Sequence, residues 1–203
     1  MSVYLYDEAF VEKLRNWTKS TNVKVYSPDD TRRLFEVIAD SSNDAPIQLP
    51  ILCLRRKSGV KVTKPRKRPM TFDGMMLESN SQKSVQLDAI PLDISYQLDI
   101  YTRYFKEADE FLRNLTFNII NYPKLTINIP YNDFNVEHNA FILMSEDIED
   151  NSNVPERLIG GQFTRFTFNI TIDDAYLWNV RVRDNLQIEC DEVTIDQIII
   201  SEK

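Results

Sequence analysis

Residues 90–101 read IPLDISYQLDIY, and this stretch decides the fold. Ile90, Leu92, Ile94, Tyr96, Leu98 and Ile100 alternate with Pro91, Asp93, Ser95, Gln97, Asp99 and Tyr101. A helix would scatter the six apolar positions around its axis, whereas a strand places them all on one side. The pattern predicts a long central strand with Leu92, Ile94, Tyr96, Leu98 and Ile100 buried.

Downstream, RYFKEADEFLRNLTFNII changes period. Phe105, Ala108, Phe111, Leu112, Leu115 and Ile119 mark one stripe of a helix that Tyr122-Pro123 ends. KLTINIP alternates again through Leu125, Ile127 and Ile129, EHNAFILMS is a further strand, and EDIEDNSN is an acidic loop without an apolar face. FTFNITI alternates Phe166, Phe168, Ile170 and Ile172, and NVRVR, LQIEC and VTIDQIIIS continue as short strands.

Upstream, DEAFVEKLRNWTK predicts a helix with Phe10, Leu14 and Trp17 on its buried stripe, and VKVY predicts a short strand. SPDDTRRLFEVIAD has helix-start chemistry. Ser27 caps, Pro28 takes the first position, Asp29 and Asp30 face the dipole, and Leu34, Phe35 and Ile38 form the buried face. IQLPILCLRR is a strand, Ser58-Gly59 a turn, and Val60 and Val62 lie on the return arm of a hairpin; residues 73–86 read as polar and irregular. Few helices set apart from antiparallel-looking strands predict an α+β fold, a mainly antiparallel sheet flanked by helices. The 203 residues suit a single domain over 1–203, with 55–86 as a basic hairpin or arm and polar loop within it.

That arm carries the main charge asymmetry. Arg55, Arg56, Lys57, Lys61, Lys64, Arg66, Lys67 and Arg68 are eight of the 24 Lys and Arg residues, in a stretch with no acid from Asp44 to Asp73. The chain is formally −7; without these eight residues the remainder has 16 basic against 31 acidic residues, or −15. A positive element on a negative body suits contact between copies of one protein as well as it suits phosphate. The run has no interleaved aromatic for base stacking, and Pro65 and Pro69 suit a docking arm better than a recognition helix, so protein is the expected partner and DNA at most a passing cargo.

Catalytic chemistry has no foothold in the sequence. His138 is the single histidine and lacks a recognisable nucleophile or orienting group. Gly59, Gly74, Gly160 and Gly161 make no phosphate-binding spacing, and the acidic loop lacks the turn glycine of a calcium site. Asp93 and Asp99 lie on one side of the long strand, roughly 20 Å apart, too far to share a proton. Cys53 and Cys190 sit in apolar alternating runs as buried thiols, without metal spacing. The expectation is no enzyme, no catalytic residue, no metal and no cofactor. The acidic N-terminus shows no signal-peptide pattern and no apolar run is long enough to span a membrane, so a soluble protein made in the cytoplasm is expected.

At YQLDIYTRYFKEADEFLRNL the chain resembles the tail terminator or tail sheath stabiliser proteins of contractile-tailed bacteriophages. Their strand ending in Leu-x-Ile-x-Thr-Arg-Tyr is matched by Leu98, Ile100, Thr102, Arg103 and Tyr104, and an amphipathic helix follows. FILMS (141–145) before an acidic loop, and RFTFNITIDDAYLW (165–178) with alternating aromatics closing on Trp178, match in the same order; no glycine precedes Trp178 here. The resemblance covers residues 90–178 and does not include the basic hairpin. It implies a subunit that assembles as a six-membered ring on the head-proximal end of the tail, in a phage or a phage-derived injection machine. Its implied partners are itself, the tail tube and sheath proteins and the neck, and its implied place is the virion. Another neck or baseplate subunit and a nucleic-acid-binding accessory protein are the alternatives. Candidate interface residues are Arg103 and the eight basic residues, with Tyr101 and Tyr104 open between core and interface.

Overall fold

The structure, a computed structural model, describes residues 3–19, 21–39, 48–57, 59–63, 70–78, 81–131, 134–152 and 163–184. Three helices, α1 (Tyr4–Trp17), α2 (Pro28–Ala39) and α3 (Phe105–Asn121), accompany strands β1 (Lys24–Tyr26), β2 (Ile51–Arg56), β3 (Lys61–Val62), β4 (Met70–Glu78), β5 (Ser81–Thr102), β6 (Lys124–Tyr131), β7 (Phe134–Asp150) and β8 (Thr164–Asp184). The fold is α+β: one mainly antiparallel sheet ordered β1-β2-β5-β8-β7-β6, with β3 and β4 also paired to β5, curled into a half-barrel. LQIEC and VTIDQIIIS lie outside the described residues.

β5 organises the sheet. One side pairs with β8 from Lys83–Asp184 to Thr102–Thr164; the other pairs in succession with β2, β3 and β4. Leu92, Ile94, Tyr96, Leu98 and Ile100 are buried as the alternation predicts, while Ile90 is half-buried against the core. They share the inner face with Leu52, Leu54, Phe168, Ile170 and Ile172, under Phe10 and Leu14 of α1 and Phe111, Leu115 and Ile119 of α3. Because α1 packs on both β1 and β6, at the two ends of the strand order, the sheet must curl around it. α1 begins three residues before the predicted start, since Tyr6 reaches across to β8. Its hydroxyl donates to the Tyr176 carbonyl at 3.1 Å and accepts from the Tyr176 N–H at 2.7 Å.

Four readings of the sequence need correction. First, Lys61 and Val62 do not fold back on β2; they pair with Asp93 and Leu92 of β5, so the chain from β2 to β4 keeps one direction along one side of β5 instead of forming a hairpin at Ser58-Gly59. Lys57 N–H to Ser95 C=O and Thr63 N–H to Pro91 C=O, at 2.9 and 3.0 Å, extend these ladders. Second, residues 73–78 and 81–86 are not irregular. They belong to β4 and β5, paired from Met70–Ala89 to Glu78–Ser81, and a backbone ladder needs no apolar alternation to form.

Third, the acidic stretch continues β7 to Asp150. A bulge between Met144 and Ile148 lets the strand resume pairing at Ile148–Phe168, and Ile148 packs against the core. Fourth, Phe105 is exposed: it opens α3 ahead of Ala108, the first α3 residue buried on the sheet. FTFNITI and NVRVR prove to be one strand, β8, kinked by a bulge in which Asp173 and Asp174 oppose the single residue Asp93. Asp174 takes a positive φ of 58°, which an Asx side chain tolerates better than most.

The outer face carries a smaller core of Ile51, Cys53 and Tyr101, covered by Tyr26, Leu34, Leu49 and Phe163. α2 lies on this side and is capped as predicted: the Asp30 N–H donates to Ser27 Oγ at 3.1 Å, and Ser27 Oγ donates to the Asp30 carboxylate at 2.8 Å. Burial here, with the nearby Asp99 charge, pushes the Cys53 thiol up to about 12. With Cys190 replaced by serine, Cys53 should therefore resist alkylation at about pH 8 in the native protein and react once urea unfolds it. Mass spectrometry of the alkylated chain checks this, and rapid native labelling would contradict the burial.

Candidate assembly surfaces

Strand alternation divides the basic run before any partner can meet it. Arg55 and Arg56 are neighbours in β2 and point to opposite faces of the sheet. Each meets a buried carboxylate. On the outer face, Arg55 Nε lies 3.4 Å from Asp99, and its Nη2 donates to the Tyr101 hydroxyl at 3.0 Å. On the inner face, Arg56 lies 3.3 Å from Asp7 of α1. Both arginines serve the fold, while about a third of each side chain, 32%, still faces solvent.

Asp99 is the centre of the outer network and is fully buried. Its Oδ1 accepts from Arg165 Nε and Nη2 at 3.2 Å each and from the Thr167 hydroxyl at 2.7 Å; Gln97 Nε2 donates to both oxygens. Tyr101 belongs to the core, at 1% exposure, with the Arg165 guanidinium 5.4 Å over its ring and Phe163 beside it. It is no interface residue of this chain. Alternation does put Asp93 and Asp99 on one side of β5, but α2 and Phe163 cover only the Asp99 end. Asp93 remains part-exposed and accepts from Thr63 Oγ1 at 2.8 Å.

The inner carboxylate behaves differently. Asp7 accepts from the Tyr96 hydroxyl and faces Arg56, yet burial outweighs both and holds its carboxyl above the ordinary 3.8. The folded state thus binds this proton more tightly than the unfolded chain does, so stability falls as pH rises from 3.8 through the raised folded value. Asp7→Asn should remove that part of the pH dependence and leave the protein no less stable at neutral pH. Urea melts of both proteins at acid and neutral pH measure it; a large neutral-pH loss in the variant would mean that the Arg56 pairing outweighs burial.

The remaining candidate residues do not converge. Lys57 and Lys61 are exposed opposite residues 93–95 of β5, whereas Arg103 and exposed Tyr104 lie past its far end, about 30 Å along the strand. Lys64, Arg66, Lys67 and Arg68 lie outside the described residues. Arg55 and Arg56 each already face a carboxylate, and a duplex contact made without them would lower the salt slope from near −7 to about −5.

One surface feature escaped the sequence reading. Phe117 and Ile120 of α3 and Tyr122 just after it are exposed, at 61%, 64% and 62%. The signal was present, since Phe117 and Ile120 fall off the stripe of Ala108, Phe111, Leu115 and Ile119. His138 has a structural place, in keeping with a sequence that offers it no nucleophile. Its Nε2 donates to the Asp174 carbonyl at 2.7 Å, and its ring meets Tyr176 and Trp178 edge-on at 5.3 and 5.0 Å, so it ties β7 to the β8 bulge. Among the described residues no His, Cys, Asp and Glu group has metal-site geometry. No helix of the described residues is long and apolar enough to cross a membrane. No protein-family model matches the chain, and no curated protein matches it.

Proposed function

We propose that the chain is a structural subunit of a contractile tail, six copies of which form a ring that terminates the tube and sheath and joins them to the neck. The observation that carries this reading is the length of β5 and β8. They run 22 and 21 residues, against the three to ten typical of strands in globular proteins, and stay paired from Thr102–Thr164 to Lys83–Asp184. β4 pairs with the first nine residues of β5, opposite β8, so this end of the sheet is a three-stranded ribbon, a shape suited to contact with neighbouring subunits. The resemblance through Leu98, Ile100, Thr102, Arg103 and Tyr104 supports the same reading. Those residues close β5 and open α3, leaving Arg103 and Tyr104 exposed at the junction.

Tails lacking their terminator, mixed with the protein and viewed in negative stain, should acquire a ring at the head-proximal end and stop lengthening. Association should weaken between about 0.1 and 1 M salt, as the Debye length shrinks from about 10 to about 3 Å, while the melting point moves little. Tails that stay bare at saturating protein would overturn the reading.

A further inference from the structure

The sheet has two open sides at the same height. Register places Val25, Leu52, Ile100, Phe166 and Asp150 in one row across β1, β2, β5, β8 and β7, and Tyr26, Cys53, Asp99, Thr167 and Glu149 in the next. β6 covers β7 only as far as Phe141, where Lys124 pairs, and the Ile142 N–H donates to Pro123 C=O. Among the described residues, no strand lies beside β7 from Leu143 to Asp150 on the side away from β8, and none lies on the outer side of β1. The five-stranded row therefore ends in an open edge on each side.

The two edges are oppositely charged. Beside β1, a groove between α1 and α2 is lined by Arg15, Lys24, Tyr26, Asp30 and Arg33, with the Lys24 ammonium 4.8 Å over the Tyr26 ring. Its three cations face one carboxylate, and Asp30 is already hydrogen-bonded to Ser27. The β7 edge presents Glu146, Asp147, Glu149 and Asp150, all exposed. Glu149 accepts from Asn151 and Asn169, and Asp150 from Ser152, whereas Glu146 and Asp147 sit in the bulge with no ion pair among the described residues. β1 is parallel to β2, and each further step to β7 reverses direction, so β1 of one copy would meet β7 of another antiparallel.

We propose that copies of this chain associate head to tail, with the β1 edge and its Arg15, Lys24 and Arg33 groove on one copy laid along the Leu143–Asp150 edge of the next. The sheet then continues from copy to copy. Two different surfaces meet, so the contact is heterologous and makes a ring wherever the rotation closes. Three residues of β1 supply few backbone hydrogen bonds, and the opposed charges supply orientation and encounter rate. This deepens the ring reading and depends on it only for closure into a ring.

A carbodiimide that joins amines directly to carboxylates tests the contact. Unlabelled and heavy-nitrogen-labelled copies are mixed at high protein concentration and about 0.1 M salt. Mass spectrometry should find Lys24 of one isotope linked to Glu149 or Asp150 of the other, the carboxylates level with β1. Two variants then separate the edges: Arg15→Glu with Lys24→Glu and Arg33→Glu, and Glu146→Lys with Asp147→Lys. Every changed residue is exposed, so both should keep the wild-type melting point. Each variant alone should associate about tenfold less, in sedimentation, than wild type; mixed, they should regain association, because the unchanged edges pair as before and the two reversed edges again carry opposite charges. A wild type without the Lys24 link, or a variant that assembles like wild type, overturns the proposal. If both variants cap tails normally, the edges are wrong and the ring reading stands; if wild type forms the link and never caps tails, the contact stands and the tail reading falls.

Discussion

Leu98→Asp is expected to give insoluble protein, or a soluble one less stable by more than about 4 kcal/mol. Leu98 is fully buried on the inner face, between Leu54 and Phe168 in its row of the sheet. Removing a buried leucine side chain costs about 2–5 kcal/mol in lost transfer and cavity terms. Arg56, the neighbouring cation on that face, is already engaged with Asp7, and an unpaired charge in a core adds several kcal/mol more, or its equivalent as a proton taken up. Total stabilities of about 5–15 kcal/mol leave little after such a loss. Solubility and the thermal melt, with Leu98→Met as the volume-conserving control, measure the effect. A soluble Asp variant with the wild-type melting point would remove β5 from the centre of the core.

Arg165→Met should cost about 3–5 kcal/mol and lower Tm by about 10 °C, because it leaves Asp99 buried with its best cation gone. Arg55 cannot replace it: one-third of its side chain faces solvent, and it approaches the other carboxylate oxygen at 3.4 Å. Adding Asp99→Leu to Arg165→Met should recover most of the loss, since replacing both partners with apolar groups removes the desolvation cost along with the attraction. Arg55 can then turn its guanidinium to water while its stem stays packed. Denaturant melts of the two single variants, the double variant and wild type complete the cycle. A double variant no better than Arg165→Met would mean that the network does more than neutralise Asp99.

Alternation within 90–101 made β5 and its inner face legible, and helical spacing did the same for α1, α2 and α3. It says nothing about what covers the opposite face. Asp99 and Tyr101 share the polar side of β5 with Asp93, and only the distant residues Leu34, Leu49 and Phe163 decide that one end of that side is a second core. Composition misled in the basic run, where eight cations in fourteen positions suggested a single surface. Period two sends Arg55 and Arg56 to opposite faces, and a carboxylate waits on each. Residues 73–78 and 81–86 gave no alternating signal because their ladder pairs backbone with backbone between β4 and β5, which side-chain pattern does not report. On the α3 surface, Phe117 and Ile120 were legible as exposed from their angle on the helix; what meets them is not encoded in that angle.

The Tyr6 hydroxyl closes on the backbone of Tyr176, 170 residues away. α1 leaves the ribosome well ahead of the strand it bonds to. At about 5–20 residues per second, translation separates the two by roughly 10–30 s. Through that interval the Phe10 and Leu14 stripe has no finished sheet to cover, because β6 and β8, which complete the inner face, have not been made. The decisive step of folding therefore waits for β8, and a nascent chain stalled before Tyr176 carries an amphipathic helix whose apolar stripe is still uncovered.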